Sequence, residues 1–118
     1  MNVLFICSQN QLRSPTAEAV FKDYPGVETR SAGTAVDAEK PVTEEMIRWA
    51  GIIFAMENLH YKLLKEQFGE LIEGKEVIIL RIRDEFLFMD SKLVEILKQK
   101  VTPYLDQIEK GNSALQAR

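Results

Sequence analysis

Cys7 is the only cysteine in the 118-residue chain, and it opens the segment Cys7-Ser8-Gln9-Asn10-Gln11-Leu12-Arg13-Ser14. It follows a short apolar run, and Pro15 after it suits the first turn of a helix. A strand, a polar loop and a helix in that order make an anion site. Successive loop N–H groups form a concave nest, and the helix dipole adds to it. Arg13 brings a planar fork that matches two phosphate oxygens. The same donors favour the thiolate form of Cys7. A thiolate held beneath a cradled phosphorus is placed to attack it. Taken singly, a strand-end cysteine reads as a small buried hydrophobe and a single arginine as a surface cation. Their spacing across one strand–loop–helix unit separates them from those readings.

The elements that must hold this loop follow from the alternation of apolar runs and helical patterns, which predicts a parallel sheet with crossover helices. Residues 2–6, NVLFI, read as a buried strand, and 15–24 as a helix closed by Pro25-Gly26. Residues 27–33 read as a short strand. Thr43 caps a short helix over 43–50, with acidic residues in its first turn. Strands are expected at 51–56 and 75–80, with a helix at 57–68 between them. The last helix follows Met89-Asp90-Ser91-Lys92 and carries a stripe of Leu93, Leu97, Val101, Leu105 and Ile108. Pro103 should kink it or break it in two. The sum is a three-layer α/β sandwich: one domain over 1–118, with about four parallel strands flanked by helices. Ligands in such folds sit beyond the carboxyl ends of the strands. Cys7 and the loops after Ser31 and Leu80 share that edge.

Composition narrows the function. With 46% hydrophobic and 28% charged residues the chain is globular, and a net charge of −3 gives no reason to expect nucleic acid or an anionic membrane as partner. The amino-terminal apolar run is too short for a signal peptide or a membrane span. One cysteine cannot make an internal disulfide, which fits a reducing, cytoplasmic setting. No ligand cluster for a metal is visible, and no cofactor is expected.

C-x5-R-S is the signature of cysteine-based phosphatases, and Cys7 to Ser14 resembles the low-molecular-weight protein tyrosine phosphatase version. Asn10 three residues after the cysteine, the continuation Pro15-Thr16-Ala17-Glu18, SAGT at 31–34 and IIFAMENLH at 52–60 carry the resemblance over most of the chain. The chain is shorter than the usual members and looks closest to a compact bacterial branch. The resemblance implies Cys7 as nucleophile and Arg13 as the clamp on the transition state. Ser8 to Ser14 would then be the phosphate-binding loop. It further implies Asn10 at positive φ, Ser14 donating to the Cys7 thiolate, and Ser31 reaching back to Asn10. The expected general acid is an aspartate in a late loop, and RIRDEFLFMD (81–90) is the corresponding stretch. Asp84, with Phe86 two residues later, is the candidate, although Arg83 stands where the compact members have proline. Asp90 is the competitor, but it also suits the N-cap of the last helix.

The implied reaction is hydrolysis of a phosphate monoester through a cysteinyl-phosphate, without metal. The expected substrate is a phosphotyrosine protein or a small aryl phosphate, with phosphate or vanadate as inhibitors. Phe86 and Phe88 could flank a flat ring or pack into the core. His60, the single histidine, reads as a helix surface or boundary residue with a possible role supporting the loop. Met46, Ile47 and Trp49 read as core, and Met56 as a residue bordering the site. Rival readings are an arsenate reductase that borrows an external thiol, a sugar phosphotransferase carrier with a phosphocysteine, and a noncatalytic phosphate-binding module.

Overall fold

A computed structural model of the chain describes residues 1–116, with side chains as far as residue 108. Four strands form one parallel sheet: β1 (Asn2–Cys7), β2 (Glu28–Gly33), β3 (Ile52–Ala55) and β4 (Glu76–Ile79), in the order β2-β1-β3-β4. Between and after them run α1 (Arg13–Phe21), α2 (Glu44–Trp49), α3 (Asn58–Phe68), α4 (Glu70–Glu73) and α5 (Ser91–Gln116). No helix among the described residues is long and apolar enough to cross a membrane.

The apolar run of β1 explains the layering. A strand covered on both faces needs apolar side chains at every position. Val3, Phe5 and Cys7 join α1 and the α5 stripe in one core, while Leu4 and Ile6 join Ile47, Leu64 and Ile72 in the other. Phe5 stacks on Phe21 of α1 at 5.9 Å, which seats that helix over the central strand. Ile47 is wholly buried, with Met46 and Trp49 packed against the same core. Met56, expected to border the site, is instead fully buried in the first core.

Of the two outcomes expected at Pro103, a kink or a break, the break does not occur: Pro103 lies inside α5 without dividing it. Leu93, Leu97, Val101 and Leu105 are all completely buried, so both halves are pinned to the sheet, while Pro103 itself is exposed where water can serve the freed carbonyl. The short helix α4 has no counterpart in the sequence reading. One turn gives too little periodicity to detect, and it forms because Ile72 is drawn into the second core.

The end of β2 sets the space available to the loop after β1. Gly33 pairs with Cys7 across the sheet. A β-carbon there would lie 2.4 Å from the Ser8 carbonyl oxygen and 2.6 Å from the Ala38 β-carbon. Only glycine permits that approach. Gly33→Ala should therefore push the loop outward and cost about 1–3 kcal/mol in urea unfolding. An unchanged midpoint would show that the contact is not tight.

Candidate active site

The loop after β1 is built around a residue in an unusual conformation. Asn10 has φ 56°, as expected, a region that few side chains other than Asn and Asp enter readily. The bend turns its N–H onto Cys7 Sγ at 3.2 Å. Its side-chain nitrogen donates to Ser14 Oγ and to Ser31 Oγ, both at 2.9 Å. Ser14 Oγ in turn lies 2.9 Å from Cys7 Sγ. The expected Asn10–Ser31 and Ser14–Cys7 contacts are both present. Ser14 sits inside α1, one residue past its start, and caps nothing.

The loop's carbonyls are bonded away from the site. Those of Cys7, Ser8 and Gln9 accept the N–H groups of Thr34, Ala35 and Glu39 at 2.9–3.0 Å, and that of Leu12 accepts Thr16 N at 3.1 Å. An oxyanion approaching the loop is thereby spared four lone-pair dipoles. Cys7, Gln9, Gln11, Leu12, Arg13 and Asp84 enclose a cavity of about 70 Å³. That suits a tetrahedral oxyanion and is well below the ~300–1,000 Å³ of ordinary small-molecule pockets. Of the eight loop residues, Ser8, Asn10 and Ser14 face away from this cavity and hold the loop's shape.

Arg13 is 2% exposed, so its charge must be paired. Nη1 donates to Glu57 Oε2 at 2.6 Å and to the Ile82 carbonyl at 2.7 Å. Nε lies 3.7 Å from Asp84 Oδ1, on an exposed side chain. The structure thus brings Cys7, Arg13 and Asp84 to one small cavity. Asp90 is elsewhere: its Oδ1 accepts the N–H of Lys92 at 2.8 Å and its carbonyl accepts Val94 N, which makes it the cap of α5. Phe86 packs against the first core and Phe88 is exposed; neither lines the cavity.

The family model for low molecular weight phosphotyrosine protein phosphatase matches residues 2–68, from β1 to the end of α3. The chain belongs to this family. A Bacillus subtilis relative named protein-arginine-phosphatase is 32% identical, over 58% of this chain and 64% of its own. The chain spans under two thirds of the curated relatives it matches. A variant of the YwlE arginine phosphatase with a phosphorylated active-site serine superposes with a TM-score of 0.66 at 25% identity, covering 84% of this chain and 92% of that one. A protein tyrosine phosphatase from Entamoeba histolytica shares the fold, with a TM-score of 0.74 at 22% identity over 95% of this chain and 99% of that one. The family match ends before Asp84, so only the geometry brings that residue to the site.

Three residues that the sequence reading missed or undervalued hold the site from behind. Thr16 Oγ1 donates to the Leu12 carbonyl at 2.6 Å and accepts Met89 N at 2.9 Å, tying the loop to the segment that carries Asp84. Glu57 and His60 form a reciprocal capping box at the start of α3. Glu-x-x-His does not match the usual Ser/Thr-x-x-Glu form, so the box was not legible beforehand. His60, expected near the surface, is completely buried. Its Nδ1 accepts Glu57 N–H at 3.0 Å, which leaves Nε2–H to donate to Ser8 Oγ at 2.9 Å.

Burial, helped by the Arg13 charge, pushes His60 down to about 4, against a smaller upward pull from Glu57 and Asp84. The unfolded chain, with an ordinary histidine near ~6.5, binds a proton between those values that the folded chain refuses. His60 therefore contributes its full stability above pH 6.5 and loses it as the pH falls toward 4. At ~1.4 kcal/mol per pH unit, the loss approaches ~3 kcal/mol. Urea unfolding of the wild type between pH 7 and 4 should fall more steeply than that of His60→Gln by this amount. Parallel curves would show that His60 is not the group responsible.

Proposed function

We propose that this chain is a cysteine-dependent phosphatase acting on phosphorylated protein side chains through a cysteinyl-phosphate. The observation that carries the reading is Cys7 Sγ, met by the Asn10 N–H and the Ser14 hydroxyl, in a cavity of oxyanion size that also contains Arg13 and Asp84. In the first step the Cys7 thiolate forms a P–S bond as the bond from phosphorus to the leaving atom breaks. Asp84 gives that atom its proton. Arg13 and the loop N–H groups hold the remaining phosphoryl oxygens as charge redistributes. In the second step Asp84 takes a proton from water, whose oxygen attacks phosphorus. The P–S bond breaks and phosphate and thiolate are restored. The phosphorylated serine in the YwlE variant supports a covalent intermediate at the corresponding place. The need for a free thiolate fits a reducing cytoplasm, and phosphate or vanadate should compete for the cavity.

The phosphotyrosine reading rests on the family and on an aromatic wall. Phe86 is engaged in the core, which removes half of that wall. Phosphoarginine is the reading the observations favour. Two curated relatives carry the name protein-arginine-phosphatase, and the exposed Asp84 carboxyl at the cavity can accept an N–H of a guanidinium through one oxygen while the other carries the proton, a contact that a phenyl ring does not offer. The leaving atom is then nitrogen, and Asp84 protonates it in the same way. Matched peptides bearing phosphoarginine or phosphotyrosine decide the point. We expect the higher kcat/KM for phosphoarginine and no turnover of either by Cys7→Ser. A reversed preference would establish the tyrosine reading, and inactivity on both would leave a phosphate-binding module.

Asp84 is tested through the leaving group. A good leaving group departs with little help, whereas a poor one needs a proton as its bond breaks. Across a series of aryl phosphates, Asp84→Asn should steepen the dependence of kcat/KM on leaving-group basicity. Asp90→Asn should leave it alone, because Asp90 caps α5. The opposite pattern would assign the acid to Asp90.

A further inference from the structure

Behind Cys7, one file of hydrogen bonds runs from the surface to the thiol. Lys40 Nζ lies 3.4 Å from Glu18 Oε1. Ser31 Oγ donates to that same oxygen. Asn10 Nδ2 then donates to both Ser31 Oγ and Ser14 Oγ, and Ser14 Oγ touches Cys7 Sγ. Asn10, Ser14 and Ser31 are all buried.

The hydrogens in this file can be counted. A carboxylate only accepts, so the single hydrogen of Ser31 goes to Glu18 and its oxygen must receive. The amide of Asn10 must therefore turn its NH2 end toward Ser31, and the second hydrogen of that NH2 goes to Ser14. With its oxygen already receiving, Ser14 has its own hydrogen left for Cys7 Sγ, the Ala32 carbonyl being more distant at 3.5 Å. The amide's own surroundings do not choose this orientation. Asn10 Oδ1 is buried and meets no donor among the described residues, and a flipped amide would leave its NH2 there instead. Flipped, Asn10 would accept from both serines, and Ser14 would point away from the sulfur.

We propose that Glu18 is a positioning residue: by fixing the direction of Ser31, it fixes the Asn10 amide and aims the Ser14 hydroxyl at the Cys7 thiolate. This rests on reading Cys7 as the nucleophile. Glu18 touches neither Cys7 nor the cavity, and it acts only through the two serines and the amide.

Alkylation of Cys7 by iodoacetamide at pH 6.5 tests this without requiring turnover. The reagent is uncharged, so removing a surface charge does not bias its approach. Glu18→Ala should slow the reaction about tenfold, the scale of losing one hydrogen bond to a charged group. Glu18→Gln, whose side-chain oxygen still accepts from Ser31, should stay within about twofold of wild type. Ser14→Ala should slow alkylation in the wild-type background and add nothing in the Glu18→Ala background. Equal effects of Ser14→Ala in both backgrounds, or a glutamine variant as slow as the alanine one, would overturn the proposal. So would a Glu18→Ala protein that differs from wild type only in its thermal midpoint. Wild type that alkylates as expected but hydrolyses no phosphorylated peptide would sink the functional reading alone.

Discussion

The site depends on one backbone constraint, the left-handed conformation of Asn10. At φ 56° the chain reverses tightly enough to aim its own N–H back at Cys7 while the side chain points into the protein. A β-branched residue would be strained there, and a glycine could take the angle but would have no amide to hold Ser14 and Ser31. The constraint is local, yet its cost is met by distant groups. Ser31 comes from the neighbouring strand, Gly33 makes room for the Ser8 carbonyl, and the segment from Thr34 to Glu39 takes up the loop's outward carbonyls. Sheet pairing of β1 with β2 thereby becomes part of the candidate site, because the register that places Cys7 against Gly33 also places Phe5 against Ser31.

The opposite side of the loop is held by the start of α3, where a single capping box does two tasks. Its backbone bonds begin the helix, and its side chains reach forward to the loop. Glu57 neutralises the buried Arg13, and His60 fixes Ser8. A buried cation without such a partner would be strongly destabilising, and a neutral imidazole is the form that leaves one ring nitrogen to donate and one to accept. These contacts act through charge and hydrogen bonding, so they rigidify the loop without occupying its cavity.

Much of this was legible in the sequence, for physical reasons that differ by element. The central strands β1 and β3 were readable because a strand covered on both faces must be apolar throughout, and α5 because its stripe repeats every four residues. The loop was readable because its chemistry is carried by adjacent residues: Cys7, Asn10, Arg13 and Ser14 all belong to one short segment. What was not readable depends on partners far apart in the chain. Glu57 lies 44 residues from Arg13 and His60 52 from Ser8, and no local pattern marks a residue for such a contact. Met56 ends a strand and so reads as bordering the site, but its side chain falls in the first core. Phe86 and Phe88 differ for the same reason: one turns to the core and the other to solvent.

Arg13 shows how the two ends of the sheet edge converge. The Ile82 carbonyl that receives its Nη1 is itself positioned by Ile82 N bonding to the Met56 carbonyl, an extension of the β3–β4 pairing. Asp84 follows two residues later, so the strand that fixes the guanidinium also delivers the carboxylate. The two acids around Arg13 are not equivalent. Glu57 lies at 2.6 Å on the same nitrogen that bonds Ile82 and does not line the cavity. Asp84 lies at 3.7 Å from Nε and is 61% exposed, so solvent screens its attraction and little holds it there. A phosphoryl oxygen arriving at the guanidinium would compete with Asp84 and not with Glu57. The carboxylate that would yield is the one proposed to move a proton, while the closer one keeps the arginine in place.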